Sequence, residues 1–360
     1  MGMDSSKYGG LERFNVKLSQ ALWEKGYRSV FVYETYPENE LFVDDVKAAH
    51  GEIVVIKSRK QPLAFCRQLS QLIRREHPYV VHAHFTKARF YAIPLAYLMG
   101  TRKLFFTIHS AMDTKSVIKP FTRLWYAMAN KMAKVIAVSN NIESTYKANW
   151  PKAEIKRIYL GVDCISCNKQ ECRSRLGISE RERMVLTVAN FNHIKGLDVL
   201  CKAIALLKDR GVLKGEVCFY IVGQPETDRK ELNVILSEKG VECFVKMIGI
   251  SNDVSTYLCA SDLYVQPSRS EGLPLALMEA SSASLPMIGT KVGGIPEIVR
   301  NGIDGLLVDA DDETQLADAI DSLMNDDVLR EKYGKHSLAI YENEFSVEIG
   351  VRQTIEYYKL

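Results

Sequence analysis

The chain has 360 residues, 47% of them apolar and 25% charged, and a formal net charge of +3. That is more chain than one compact domain needs and ordinary material for two globular cores, while the best apolar run, Ile93–Met99, is far too short to span a bilayer. The small net charge hides a split, with +11 on residues 1–165 and −8 on residues 166–360.

In chain order, apolar residues Leu11, Phe14, Leu18, Ala21 and Leu22 form a helical stripe behind Gly9-Gly10. Short β-branched runs then read as buried parallel strands at Ser29–Tyr33, Ile53–Ile56, Val80–His84, Lys103–His109, Val135–Ser139 and Arg157–Leu160. Leu69, Leu72 and Ile73 belong to a second helical stripe. Residues Cys164–Arg183 are polar, with weak periodicity, and read as a linker. The alternation then restarts with strands at Met184–Ala189, Val217–Gly223, Val245–Ile248, Leu263–Gln266, Met287–Gly289 and Gly305–Val308. Helices are expected at Leu197–Leu207, Leu275–Ser282, Thr314–Leu323 and Val347–Tyr358.

Two strand–helix series predict two doubly wound α/β domains. The expected divisions are 1–163, a linker at 164–183, 184–342, and a terminal helix at 343–360. Ligands of open α/β sheets bind beyond the carboxyl ends of strands, so the residues just after each strand carry the functional reading.

The strongest segment is Gln266-Pro-Ser-Arg-Ser-Glu271-Gly-Leu-Pro-Leu-Ala-Leu-Met-Glu279. A strand ends, a loop follows, and a helix opens at Pro274, whose N-terminal N–H groups suit a phosphate. Gly272 allows close backbone approach. Glu279, about 7.5 Å along the helix from Pro274, can accept from ribose hydroxyls, and Glu271 can meet a sugar. The bland reading is a capped surface helix. A second segment, Asn190-Phe-Asn-His-Ile-Lys195-Gly196, places a lysine before a helix-opening glycine, where it can act on a diphosphate as a point charge. Gly293-Gly294-Ile-Pro296-Glu297 reads as turn chemistry at a strand end.

In the first half, His82 and His84 share one strand face and read as core or strand-end histidines rather than metal ligands. His109 follows a strand directly and can hydrogen-bond a reacting sugar or phosphate. The eight cysteines read as reduced thiols in a cytoplasmic protein, and Cys164, Cys167 and Cys172 lack a fourth partner at zinc-site spacing. Basic residues gather at Lys57, Arg59, Lys60, Arg67, Arg74 and Arg75 and again from Lys115 to Lys134. They read either as a solvated surface or as contact with an anionic acceptor or lipid headgroups on the inner face of a membrane. No motif for nucleic acid is present.

Taken together, Glu271 and Glu279 enclosing seven residues, Lys195-Gly196, Gly293-Gly294-x-x-Glu297, and the upstream Val80-Val-His82-Ala-His84, Thr107-Ile-His109-Ser110, Ala137-Val-Ser139 and Gly161-Val-Asp163 resemble glycosyltransferase family 4, in that family's order. The resemblance implies the GT-B fold, two Rossmann-like domains facing a cleft, with the last helix crossing back onto the first domain. It implies a retaining, metal-independent transferase with no cofactor, moving a sugar from a nucleoside diphosphate to a glycan or lipid-linked acceptor. By that resemblance the catalytic residues are His109, Lys195 and Glu271. The donor is bound by Gly10, Asn190, Lys195, Glu271, Gly272, Leu273 and Glu279, with Glu279 on the ribose.

Three positions depart from the family. Asn190 stands where many members carry Arg, which leaves more of the diphosphate to Lys195. Leu160 stands where Asn often precedes Gly-Val-Asp. Only Met1–Tyr8, mostly polar, precede Gly9, so the central first strand is missing and Met1 is expected to be an internal start. The competing readings are a non-catalytic sugar-nucleotide-binding scaffold and a nucleotide-sugar epimerase. A dinucleotide oxidoreductase is disfavoured because no Gly-x-Gly-x-x-Gly follows a strand.

Overall fold

A computed structural model describes residues 8–56, 62–84, 86–109, 120–166, 168–213, 217–224 and 229–360. Lys57, Arg59, Lys60, Ser110, Lys115, Lys119 and Cys167 lie outside the described residues. The chain divides into two compact units: unit 1 holds residues 1–162 and 347–360, and unit 2 holds residues 163–346.

Unit 1 alternates α1 (Gly10–Glu24), β1 (Val30–Tyr33), α2 (Glu40–Ala48), β2 (Glu52–Val55), α3 (Pro62–Glu76), β3 (Val80–His84), α4 (Thr86–Leu98), β4 (Lys103–Ile108), α5 (Pro120–Met132), β5 (Lys134–Ala137), α6 (Asn140–Asn149) and β6 (Ile155–Arg157). Helices α2 and α6 start where a short polar side chain satisfies a free N–H group. Asn39 accepts from Phe42 N–H at 3.0 Å, and Ser139 accepts from Ile142 N–H at 3.2 Å. The strands form two parallel sheets, β1–β2 and β3–β4–β5–β6. Phe105, Phe106, Ile108 and Val135 are buried in the larger sheet, as its β-branched and aromatic sequence requires. The last strand falls at Ile155–Arg157, earlier than the expected Arg157–Leu160. It pairs with Val135–Ala137 at the sheet edge, and Ile158, Tyr159 and Leu160 are buried beyond it. The C-terminal helix Val347–Tyr358 belongs to this unit, where Val347 N–H donates to the Val162 carbonyl at 3.0 Å.

Unit 2 follows with α7 (Lys169–Arg175), β7 (Arg183–Val188), α8 (Leu197–Asp209), β8 (Val217–Val222), α9 (Arg229–Lys239), β9 (Val245–Gly249), α10 (Val254–Ala260), β10 (Leu263–Gln266), α11 (Leu275–Ser282), β11 (Met287–Thr290), α12 (Ile295–Ile298), β12 (Gly305–Val308), α13 (Glu313–Met324) and α14 (Asp327–Ile340). Its six parallel strands run in the order β12–β11–β10–β7–β8–β9, which places the first strand, β7, centrally. The core packs Leu200, Ile204 and Leu207 of α8 and Leu316, Ile320 and Leu323 of α13 with Val185, Ile221 and Val265 of the sheet.

Two expectations are corrected here. Residues 169–175, read as part of a linker, form helix α7 of unit 2. Asn168 caps it, and Arg173 is buried, donating to the carbonyls of Ala260 at 2.9 Å and Ser179 at 2.7 Å. Cys259 is disulfide-bonded rather than a reduced thiol, whereas Cys66, Cys164, Cys172, Cys201, Cys218 and Cys243 are free. No described helix is long and apolar enough to cross a membrane.

Candidate donor site in unit 2

The site grows from the carboxyl ends of two adjacent parallel strands, β7 and β10. After β7 the chain turns through His193–Lys195, and Gly196 then opens α8 with φ +65°. A side chain is impossible at Gly196: a Cβ would fall 2.0 Å from the Pro267 carbonyl oxygen. The two strand exits therefore touch, which brings Lys195 to the loop of Glu271. Lys195 Nζ lies 2.7 Å from Glu271 Oε1, and both side chains are mostly buried.

The same carboxylate oxygen accepts from Ser268 Oγ at 2.7 Å and Gln266 Nε2 at 3.2 Å. Gln266 is fixed in turn by Ser268 Oγ and by the Tyr264 hydroxyl, each at 2.8 Å. Tyr264, Gln266 and Ser268 lie two residues apart along β10 and its exit, so their side chains share one face. Burial raises the Tyr264 pKa, and the charges of Glu279 and Glu271 raise it further, so both carboxylates act on this one hydroxyl.

Arg269 stitches the two loops together. Its guanidinium donates to both Asp198 oxygens at 2.7 Å, to Asp311 at 2.6 Å and to the His193 carbonyl at 2.6 Å, while its backbone N–H donates to the Ile194 carbonyl at 2.7 Å. Burial alone would raise the Asp198 carboxyl, but the Arg269 guanidinium outweighs it and leaves the pKa below the ordinary carboxylate value. A third loop closes on Glu271 from β11. A Cβ at Gly293, whose φ is +55°, would fall 1.9 Å from the Glu271 carbonyl oxygen, and one at Gly294 would fall 2.4 Å from that of Gly272 and 3.2 Å from Leu273 Cδ1. The Gly-Gly pair thus serves close backbone contact as well as the turn.

Helix α11 begins at Leu275, with Pro274 as its N-cap rather than its first helical residue, and no side chain among the described residues caps it. Half-buried Glu279 lies about 6 Å along the axis from Leu275. Asn190 is half-buried at the exit of β7, and its carbonyl accepts from Asn192 N–H at 2.9 Å. The structure therefore brings Lys195, Glu271, Gly272 and Leu273 together. Sequence reasoning missed Tyr264, Ser268 and the Arg269–Asp198 pair. The period-two spacing of polar residues out of β10 could have found the first two.

His109 and Gly10 belong to unit 1. Gly10 is the first residue of α1, after Gly9, whose N–H donates to Glu12 at 3.1 Å. His109 follows β4, with Nε2 lying 3.1 Å from His84 Nδ1. His82 is held between Thr107 Oγ1 at 2.7 Å and the Tyr358 hydroxyl at 2.5 Å. Burial, then neighbouring charge, pushes the His82 and His109 imidazoles down to about 3 and His84 well below the ordinary value, so all three are neutral at physiological pH.

The family models agree with this architecture. Residues 8–165 match the one described as Glycosyltransferase Family 4, and residues 168–338 match Glycosyl transferases group 1. The chain belongs to the GT-B glycosyltransferases of the family 4 type. It is 26% identical to the N-acetyl-alpha-D-glucosaminyl L-malate synthase of Bacillus anthracis, over 97% of this chain and 94% of that one. It is also 26% identical to a D-inositol 3-phosphate glycosyltransferase of a Nocardioides species, over 98% and 85%. Among solved structures it shares the fold of HepE from Anabaena in complex with UDP and glucose, with a TM-score of 0.85, 21% identity, and coverage of 99% and 98%.

Proposed function

We propose that unit 2 binds a nucleoside diphosphate sugar and that the enzyme transfers its hexose, with retention, to a hydroxyl of a glycan or lipid-linked acceptor in surface-polysaccharide or glycolipid assembly. The observation that carries this reading is the Lys195–Glu271 pair, built at touching strand exits and anchored by Ser268 and Gln266. A diphosphate at this loop meets a fixed ammonium and the uncapped start of α11, both of which favour anionic charge. Lys195 then stabilises the charge developing on the leaving diphosphate without a divalent ion. Glu271 orients the ammonium and meets the sugar, and Glu279 accepts from the ribose hydroxyls. Asn190 adds a dipole beside the diphosphate, and Gly272 and Leu273 supply backbone contact.

His109 and Gly10 are assigned to the sugar and acceptor side of the reaction. The neutral imidazole of His109 suits a hydrogen-bonding role rather than that of a cationic acid. Two relatives bear names with anionic acceptors, L-malate and inositol 3-phosphate, and the positive charge of residues 1–165 suits an acceptor or membrane surface of that sign.

Calorimetry with UDP, GDP and their sugars tests the donor reading. The expected result is binding of one nucleotide in the presence of a chelator, weakened by both Lys195→Ala and Glu279→Ala. Equal binding by the two variants and the parent chain would remove the assignment.

A further inference from the structure

Four side chains of unit 1 share one face of the parallel pair β3–β4. His82 and His84 lie two residues apart on β3, and Thr107 and His109 lie two residues apart at the exit of β4. The ladder aligns His82 with Phe105 and His84 with Thr107. Each histidine therefore meets the side chain two residues beyond its register partner: His82 Nε2 lies 2.7 Å from Thr107 Oγ1, and His84 Nδ1 lies 3.1 Å from His109 Nε2. His82 is fixed at both nitrogens, by Thr107 and by the Tyr358 hydroxyl, and its ring centroid lies 4.2 Å from that of His84. His84 itself is 9% exposed. The row thus ends on His109, held from below by a ring that has little room to turn.

All three imidazoles are neutral at physiological pH. A neutral imidazole has one N–H and one bare nitrogen, so a contact between two such rings needs the N–H on one and the bare nitrogen on the other. Because this contact joins Nδ1 of His84 to Nε2 of His109, fixing either tautomer fixes both. Donation from His109 Nε2–H places both rings in the Nε2–H form, the commoner one for a free histidine. Donation in the other direction needs the rarer Nδ1–H form of both. His84 also lines a cavity of about 460 Å³, room enough for water to take its remaining Nε2–H.

We infer that His84 is a positioning residue for His109: its bare Nδ1 accepts from His109 Nε2–H, holds that ring in one plane, and leaves His109 Nδ1 as a hydrogen-bond acceptor. The functional part of this inference rests on the assignment of His109 to the sugar and acceptor side of the reaction. A bare nitrogen meets a hydroxyl O–H and repels a phosphate oxygen. The group that His109 takes is therefore a hydroxyl of the sugar or of the acceptor, and not the diphosphate.

Nitrogen-15 labelling of the seven histidines and long-range 1H–15N spectra of the 360-residue protein read the tautomers directly, with His84→Asn and His109→Ala giving the assignments. The expected result is His109 protonated on Nε2 and bare on Nδ1, and His84 bare on Nδ1. A His109 ring protonated on Nδ1 overturns the proposal, and this readout needs no substrate. His84→Phe keeps a ring but loses the acceptor, while His84→Asn returns an acceptor oxygen near the place of Nδ1. Hydrolysis of the UDP- or GDP-sugar that calorimetry selects supplies the kinetic readout. His84→Phe is expected to lower kcat about tenfold or more with KM little changed, His84→Asn to recover most of it, and His84→Phe to add no loss on top of His109→Ala. An unchanged His82 tautomer reports that the strand face is folded in each variant; where His84→Phe fails that check, the tautomers of the parent chain and the activity of His84→Asn decide. Parent activity in folded His84→Phe overturns the proposal, as does a further loss in the double variant. Full activity in His109→Ala removes the assignment of His109 itself, which the tautomer spectra do not touch, and with it the part of His84 in the reaction.

Discussion

Gly293 packs so closely on Glu271 that a Cβ on the glycine would fall 1.9 Å from the Glu271 carbonyl oxygen, at a φ of +55° that side chains rarely adopt. The carboxylate that holds Lys195 is therefore positioned partly by a turn more than twenty residues downstream. Gly293→Ala must move one of the two backbones. The expected cost is about 1–3 kcal/mol in the stability of unit 2 from backbone strain, together with weaker donor binding. Thermal unfolding and nucleotide titration of the variant read both effects. An alanine variant with the parent's stability and affinity would show that the contact does not position the loop.

The pair Lys195–Glu271 gives the kinetic prediction. If Lys195 stabilises the leaving diphosphate, Lys195→Ala lowers kcat by roughly 10²–10³, the usual effect of removing one preorganised charge-stabilising donor. Glu271→Gln keeps the shape but loses the carboxylate that orients the ammonium. It is expected to lower kcat less than Lys195→Ala, because the ammonium itself remains and only its orientation and the Glu271 contact to the sugar are weakened. Steady-state kinetics with the identified donor make the comparison. A loss confined to KM in Lys195→Ala would make the lysine a binding residue only.

Much of this was legible in the sequence because it is local. The segment from Gln266 to Glu279 carries its strand end, loop and helix within fourteen residues, and the structure keeps the helix at Leu275–Ser282 as read. The strands of both units were legible for the same reason, since buried parallel strands are short continuous apolar runs. What could not be read depends on partners far away in sequence. Arg269 and Asp198 are 71 residues apart and mean nothing until β7 and β10 are neighbours. Helix α7 looked like linker because its apolar content is low. Its place is set by Arg173, whose bonds reach Ala260 and Asp262 across almost ninety residues. The Gly293-Gly294 turn was visible as a turn, but its reason, contact with Glu271 and Gly272, was not.

Arg269 offers a test of that long-range wiring. Its guanidinium ties Asp198, Asp311 and the His193 carbonyl, and only a planar fork can make the bidentate Asp198 contact. Arg269→Lys is therefore expected to behave much like Arg269→Ala, each destabilising unit 2 by about 1–3 kcal/mol and raising KM for the donor as the Lys195 turn loosens. Denaturant unfolding and donor kinetics measure the two effects. Full rescue by lysine would mean that charge alone, not the fork, holds the turn.

Asp304 predicts an unusual pH dependence. It is fully buried in the turn before β12, where Oδ1 accepts from Arg300 N–H at 2.6 Å and Oδ2 finds no hydrogen-bond partner among the described residues. Burial pushes its pKa up to about 6, the Arg300 backbone hydrogen bond offsetting only part of that cost. The folded state thus holds this proton more tightly than the unfolded chain, whose carboxyl titrates near 3.9. Stability from this group is present at low pH, is lost as pH rises from about 4 to about 6, and stays lost above that. Asp304→Asn removes the charge that must be desolvated. It is expected to stabilise unit 2 by about 1–3 kcal/mol at pH 7.5 and by roughly half as much at pH 5, where the folded carboxyl is already mostly protonated. Thermal or denaturant unfolding at the two pH values measures the difference. A gain that is the same at both would show that the introduced amide improves packing and that the buried charge carries no penalty, and a loss at pH 7.5 would show that the carboxylate is held by more than the Arg300 amide.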